Sequence, residues 1–509
     1  MIDRRTIPKD IDIKLEVFYQ KCYRILCFCF ARFDKLPSRR EIMDYKRYKF
    51  VALSGTKDEL AKGVKSTIRS LKAANIKIIM LTGDHPKTAK NIALSCDLAS
   101  LTDECVLSKD NYKQYITNTN YIDFLLLNQM KHNEYAVFDA EMTKHVLKSP
   151  LQFLKWSKES KCIVFSRSTP DTKARVVDMY QSDKSQYIHA SGHTNIVLAI
   201  GDGANDVAML RRASLAVGIV GHEGRIAASS SDIAVDSFYR LQRLVLVHGA
   251  WNYLRGTLGI LIFLYKNLAF SVPVLLYICF SDFSVAKIFD DWLMIGVVFF
   301  FTSFSLLPIS SIDHQISDEK RLQYPVLYQA SLSRKNYTAA TIFEWLQAAF
   351  IHGSIPFLII FFGANYFPFS THYGKLINYQ YLSIMTCLTT LIVVHAKIQL
   401  MMRHISLLSC ILTQSSFVFF IIFLFLPIFN DPINRGYVKE VFLSWESYIL
   451  IFLILFICLY RDLIWVWFKR MYWEHISLIY DNRKGLHKRL EMKPIRVLKN
   501  NLQRSTGQN

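Results

Sequence analysis

Acidic residues, paired cysteines and an N-terminal apolar leader are scarce or missing in this sequence, and each shortage removes a class of function. Asp and Glu number 41 against 61 Lys and Arg, a formal net charge of +20, which in a soluble protein would suggest nucleic acid. The cations are placed otherwise. They gather between long apolar runs and after Trp467, as Lys469, Arg470, Arg483, Lys484, Lys488, Arg489, Lys493, Arg496, Lys499 and Arg504. That placement suits the positive-inside rule and attraction to anionic lipid, and it sets nucleic acid aside as a partner. The ten cysteines form no disulfide framework. Cys279, Cys387, Cys410 and Cys458 lie in apolar runs, and Cys27-x-Cys29 has no second pair to complete a zinc site, so it is expected in a packed strand. Met1–Asp10 is charged and no apolar h-region follows it, so the first quarter-thousand residues are expected to form a soluble, cytosolic domain. No internal repeat or low-complexity segment is present.

What the sequence has in excess is apolar residues, 51% of the chain, and they are unevenly spread. Up to about Leu246 short apolar runs alternate with helical patterns. Val51–Leu53, Ile76–Leu81, Ile163–Phe165, Ile196–Ile200 and Leu215–Ile219 read as strands, and Asp58–Ala73 and Thr88–Ser95 as helices between them. The alternation predicts an α/β parallel sheet with crossover helices, whose ligands bind at the carboxyl ends of the strands. Residues from Leu101 to about Glu159 are poorly periodic and read as an insertion closed by a helix near Met142–Trp156. Beyond Leu246 six runs come near the ~20 residues that cross ~30 Å of hydrocarbon: Leu258–Phe280, Trp292–Ile309, Ala339–Phe362, Tyr379–Ala396, Ile405–Phe429 and Ser447–Trp467, the last interrupted by Arg461 and Asp462. Six spans return the tail to the side of the first domain. Lys320, Arg321, Arg334, Lys335, Lys397 and Arg403 then fall on that side, against Lys287, Lys375, Arg435 and Lys439 opposite.

Three polar motifs follow strands in order. Thr82-Gly83-Asp84 ends one apolar run, Arg167 with Pro170-Asp171-Thr172-Lys173 follows another, and Gly201-Asp202-Gly203-Ala204-Asn205-Asp206 follows a third. The glycines permit a sharp turn. Asp202 ends its strand and Asp206 lies one helical turn later, so both carboxylates are able to face one cation. Taken alone, Gly-Asp-Gly reads as a turn with solvated acids. A hydroxyl, a lysine and a carboxylate pair at three adjacent strand ends instead read as a phosphate-and-magnesium site.

On these motifs the sequence resembles the P-type ATPases, whose phosphorylation domain has the haloacid-dehalogenase-like fold. Leu81-Thr82-Gly83-Asp84 and Gly201–Asp206 match the hinge motifs. Further stretches resemble the phospholipid-flippase branch (type IV): Ala74–Ile78, Asn91–Ala93, Gly221-His222-Glu223-Gly224, Ser230–Ala234, Tyr265-Lys266-Asn267, Asp290-Asp291-Trp292, Tyr324-Pro325-x-Leu327-Tyr328 and Arg461-Asp462. The resemblance implies ATP as substrate and Mg2+ as cofactor. It implies that Thr82, Gly83, Asp84, Arg167, Lys173, Asn205 and Asp206 contact nucleotide or phosphate, with Thr82, Lys173 and Asp206 supporting catalysis, and that Asp202 and Asp206 hold the metal. Arg24 matches an arginine that touches ATP, and reads equally as a surface residue on a strand. Lys266 and Asn267 would lie on the lipid headgroup path. A lysine deep in an apolar span usually faces a cavity or partner, snorkelling to the interface being the plainer reading.

The family's phosphorylated aspartate, in Asp-Lys-Thr-Gly, does not occur here, nor does the actuator loop Asp-Gly-Glu-Thr. The resemblance therefore divides the chain into a remnant of the nucleotide-binding domain (1–40) and a phosphorylation domain lacking its nucleophile strand (41–250). A membrane domain like the fifth to tenth family spans (251–468) and a basic cytosolic tail (469–509) follow. His85-Pro86, His222 and Ser305 depart from the flippase pattern. The expected function is the C-terminal portion of an ATP-driven flippase in the plasma membrane or an endomembrane, moving phospholipid from the exoplasmic to the cytosolic leaflet. It would be inactive alone, and its partners would be phospholipid, a separate N-terminal half and the two-span accessory subunit of flippases. The alternatives are a non-catalytic magnesium-binding membrane subunit paired with another chain, and a fragment of a cation pump, which Tyr-Lys-Asn and the lack of acids in the first two spans disfavour.

Overall fold

The computed structural model describes residues 6–20, 23–33, 37, 42, 45, 48–57, 59–99, 106–107, 135–148, 150–181, 196–221, 225–284, 286–332, 336–366, 379–426 and 432–468. It divides into two compact units between Val245 and Leu246.

In the first unit, β1 (Tyr23–Phe30) and β2 (Lys49–Lys57) form an antiparallel ribbon with a bulge between Phe28 and Cys29. The run Val51–Leu53, expected in the parallel sheet, belongs to this ribbon. Cys27 is exposed rather than packed, because a two-stranded ribbon has no third layer to cover it. The Cys27 and Cys29 sulfurs are 3.6 Å apart.

The parallel sheet follows the order β3-β6-β5-β4, from β3 (Ile79–Leu81), β4 (Val106–Leu107), β5 (Tyr135–Phe138) and β6 (Cys162–Phe165). Successive residues of β5 and β6 point to opposite faces. Ala136, Phe138, Ile163 and Phe165 pack under helices Ala140–Lys148, Pro150–Glu159 and Pro170–Gln181. Tyr135, Val137, Cys162 and Val164 pack against Ile68, Ala89 and Ala93 of helices Val64–Ala73 and Pro86–Ser95. Both faces are covered, so β5 is an unbroken apolar run without alternation. That is why it is invisible to periodicity within the stretch read as an insertion. The helix expected near Met142–Trp156 is two helices, the second opening on Pro150, whose missing N–H costs nothing at a helix start. Asn75, at φ 63, ends helix Val64–Ala73 in the left-handed conformation that Asn tolerates.

The third strand group is separate. β7 (Leu198–Gly201), β8 (Leu215–Ile219) and β9 (Ile233–Val235) are parallel in that order. β3 and β7 are thus each an outer strand, and two parallel sheets stand where one was expected. Leu81 of β3 nevertheless packs into the apolar cluster of Ala199, Met209, Leu210 and Ala216 around β7.

The second unit holds six helices long and apolar enough to cross a membrane. They include Ala250–Phe280, Asp291–Ser311, Ala339–Tyr366, Tyr379–Met401, Leu407–Leu424 and Trp445–Phe468. Tyr379–Met401 is the most enclosed and Trp445–Phe468 the least. A further helix, Pro432–Leu443, precedes the sixth. The basic tail lies outside the described residues, as do His222, Glu223 and Gly224.

Candidate functional site

The polar motifs of the first unit sit where their strands end. Beyond β3, the Thr82 amide donates to the carbonyl of Phe165 and the Ser168 amide to that of Thr82, both at 2.9 Å, while the Arg167 amide donates to the Asp84 carbonyl at 3.0 Å. The two loops are therefore stitched together residue by residue. Arg167 makes this turn at φ 49, an uncommon value for a residue with a side chain, and its guanidinium is exposed. The Thr82 hydroxyl donates to the Asp84 carboxylate at 2.9 Å and accepts the Asp84 amide at 3.1 Å. Thr82 and Asp84 are half-buried and Gly83 is exposed.

His85 caps helix Pro86–Ser95, its Nδ1 accepting the Lys87 amide at 3.3 Å. Its pKa is lowered by burial first, then by the charges of Arg167 and Lys87.

Lys173 enters from the first turn of helix Pro170–Gln181 and places its ammonium 2.7 Å from the Asp206 carboxylate, with side-chain exposures of 12% and 13%. Asp206 reaches it by lying flat on Gly201. A Cβ on Gly201 would stand 2.4 Å from the Asp206 Cβ, so only glycine fits at this strand end. Asp202 and Asn205 are exposed. Among the described residues no group of three His, Cys, Asp or Glu is arranged to hold a metal. Two carboxylates and an amide oxygen nonetheless suit magnesium, which keeps several waters and takes one or two protein carboxylates.

In the second unit Lys266 is 2% exposed, in the body of helix Ala250–Phe280. Its ammonium donates to the Thr302 hydroxyl at 2.8 Å, and among the described residues it has no carboxylate in ion-pair range. Thr302 in turn donates to the Val297 carbonyl at 2.6 Å. That bond spans the wide π-type turn Val297–Phe301, whose i→i+5 winding brings residue 302 back over the Val297 carbonyl. The break in this span comes from that turn, which ends seven residues before Pro308. Asn267, by contrast, is exposed on the next face of its helix, its carbonyl accepting the Ser271 hydroxyl. The structure does not bring it to Thr302.

Of the residues read as a site, Thr82, Gly83, Asp84 and Arg167 are joined by their backbones, and Lys173 joins Asp206. Arg24 lies on β1 opposite Thr56, its side chain outside the described set.

The family model of the phospholipid-translocating P-type ATPase C-terminal region matches residues 228–475, and that of haloacid dehalogenase-like hydrolases matches residues 15–117. Phospholipid-transporting ATPase DRS2 of Saccharomyces cerevisiae is 31% identical over 456 residues, which cover 87% of this chain and 33% of the yeast protein. Phospholipid-transporting ATPase VD of Macaca fascicularis is 33% identical over 322 residues, 61% of this chain and 47% of the relative. The human phospholipid-transporting ATPase ID is 29% identical over 399 residues, 73% of this chain and 32% of the relative. The chain belongs to the phospholipid-transporting P-type ATPases. It spans a third to a half of the length of these relatives.

It is an integral membrane protein of that family, with a haloacid dehalogenase-like domain ahead of six apolar helices. ATP and Mg2+ go with the family in general. In the membrane half Thr302 and His352 escaped sequence reading, and Lys397 and Asp462 were read only singly. Thr302 stood in a run of aromatics, and His352, Lys397 and Asp462 carried no local motif that joined them.

Proposed function

We infer that this chain supplies the phosphate-supporting site and the headgroup path of an ATP-driven phospholipid flippase. It would require, from elsewhere, the aspartate that becomes phosphorylated. The observation that carries this reading is the buried Lys266 ammonium, bonded to Thr302 and facing no carboxylate of the described chain. An ion carrier needs buried acids at such a position. An ammonium in hydrocarbon is costly and matches a phosphate-bearing headgroup.

In the first unit Lys173 would neutralise phosphoryl oxygens and Thr82 would donate a hydrogen bond to them. Asp202 and Asp206 would hold Mg2+, which when bound supplies the charge that draws phosphate oxygens together. Lys173 already holds one of the two Asp206 oxygens, so the ion and the lysine would compete for that carboxylate's charge. Lys173 is thereby placed to exchange a carboxylate partner for a phosphate. Gly83, Asn205 and Asp84 would line the same pocket, and Arg24 and Arg167 would contact nucleotide. The direction of transport would be exoplasmic to cytosolic, with the first unit and the tail on the cytosolic side.

A second reading is favoured by one observation. The described parallel strands form two sheets with outer strands at β3 and β7, as suits a non-catalytic magnesium-binding subunit that pairs with another chain and gives no turnover even in the pair. The two readings part on one experiment. The chain is purified alone and with a segment carrying Asp-Lys-Thr-Gly, and ATPase activity is measured with and without phospholipid. Lipid-stimulated, vanadate-sensitive turnover only in the pair supports a flippase half. Ion-stimulated turnover indifferent to lipid overturns the flippase reading, and turnover by the chain alone overturns its dependence on a supplied aspartate.

A further inference from the structure

The apolar unit also buries a closed ring of four polar side chains from four helices. The Tyr265 hydroxyl is 2.7 Å from His352 Nδ1. His352 Nε2 lies 3.8 Å from the Asp462 carboxylate. Asp462 is paired with Lys397 at 2.7 Å, and the Lys397 ammonium returns to Tyr265, 5.0 Å above its ring. The same ammonium stands 5.2 Å from the Trp345 ring. All four members are buried, Tyr265 and His352 completely. The ring closes because the first and third helices approach closely. A Cβ on Gly353 would stand 2.5 Å from the Ala269 carbonyl oxygen, and only small residues allow such an approach in a membrane.

One fact connects this ring to Lys266. Tyr265 and Lys266 are consecutive, so fixing the height and rotation of Tyr265 fixes where Lys266 projects, about 100° further round the helix. The ring also commits Asp462 to Lys397, with Arg461 Nη1 a further 3.9 Å away on its other oxygen.

We propose that Tyr265, His352, Lys397 and Asp462 are positioning residues for Lys266. They clamp its turn of helix against three others and so hold the Lys266 ammonium where a phosphate-bearing headgroup would meet it. The proposal rests on the headgroup role given to Lys266 above. Buried ion pairs add little net stability compared with well-packed apolar residues, so their presence here is better explained by position than by strength.

The test uses the full chain in detergent. Its thermal stabilisation is followed against the concentration of short-chain phosphatidylserine, with short-chain phosphatidylcholine and glycerol phosphate as comparison probes. K397M/D462L replaces the pair with apolar side chains and is expected to fold at least as well as the parent. It should bind phosphatidylserine about tenfold more weakly, the equivalent of one displaced charge-assisted hydrogen bond. K397R, which keeps both the ion pair and the contact with the Tyr265 ring, should retain binding. Y265F loses only the bond to His352 and should shift binding in the same direction as the double variant. A structural role alone predicts that K397M/D462L and Y265F bind as the parent does once folded, and that result overturns the proposal. If the double variant does not fold, Y265F decides on its own. K266M separates the premises. If it leaves phosphatidylserine binding intact, the headgroup reading of Lys266 fails, whereas loss in K266M with parent-like binding in Y265F refutes the clamp alone. Stabilisation by glycerol phosphate as strong as by phosphatidylserine would assign the site to a free phosphate, and would overturn the headgroup as its ligand.

Discussion

Lys173 and Asp206 are 33 residues apart in sequence and 2.7 Å apart in space, an ion pair joining the first turn of helix Pro170–Gln181 to the turn after β7. Because the strands that carry them belong to different sheets, this contact and the shared packing of Leu81 bind the two halves of the site. The pair also sets a competition, since the carboxylate that would hold a divalent cation is already neutralised by the lysine that would hold phosphate.

Removing the lysine should therefore separate the two affinities. In K173M the Asp206 carboxylate has no cation at contact distance. Mg2+ binding is expected to tighten by about tenfold or more, given the several kcal/mol such a charge exerts at short range. Binding of inorganic phosphate or vanadate in the presence of Mg2+ should fall. Isothermal titration of the full chain with each ion measures both. Equal weakening of the two would mean that Lys173 only holds the loops together.

A steric relationship underlies that pair. In G201A the new methyl would stand 2.4 Å from the Asp206 Cβ, where neither strand nor turn has room to yield. A loss of about 1–3 kcal/mol is expected from overpacking, along with a displaced Asp206. In K173M/G201A the Mg2+ affinity gained by K173M alone should largely disappear, which titration with Mg2+ would register.

His85 gives a pH dependence whose sign is fixed. Its folded pKa lies below the ordinary value of 6.5, so below that value the unfolded chain binds a proton that the folded chain resists. Stability falls as pH drops through 6.5 and levels off once the folded pKa is passed. Protonation also removes the lone pair with which Nδ1 caps the helix. H85N keeps a capping acceptor without the titration. Thermal melts of the first unit within the full chain, between about pH 7 and about pH 5, should slope less steeply in H85N than in the parent. Identical slopes would place the titration elsewhere.

The fold of the first unit was legible where strands are short, apolar and closed by polar motifs. Leu215–Ile219 was read to the residue, and the runs ending in Thr82-Gly83-Asp84 and Gly201 were read to within a few. It was not legible at Tyr135–Phe138, where burial on both faces erases the alternation that marks a strand. Nor did Val51–Leu53 reveal that its partner is antiparallel, since apolar character says nothing of pairing direction. In the membrane unit hydropathy located all six helices but treated each charge singly. Lys397 counted only toward topology, and Asp462 as an interruption of the last span and, with Arg461, as a family-like dipeptide, though Lys397 and Asp462 are one neutral pair. A pair 65 residues apart has no local signature. The same limit hid Thr302, whose role depends on a π-type turn that no residue in Val297–Phe301 announces.

That turn makes a last prediction about Lys266. The ammonium has one hydroxyl partner, and the hydroxyl has one carbonyl. T302V keeps the shape and removes the oxygen, so it should cost about 1–3 kcal/mol as a buried donor loses its acceptor. K266M removes the charge itself and should stabilise the apolar unit. In K266M/T302V the hydroxyl no longer matters to any cation, so the cost of T302V should shrink. A double-mutant cycle on the full chain in detergent, read by thermal or denaturant unfolding, gives the coupling directly. Coupling near zero would mean that Lys266 is solvated by something other than Thr302, and that the wide turn serves the bending of its helix alone.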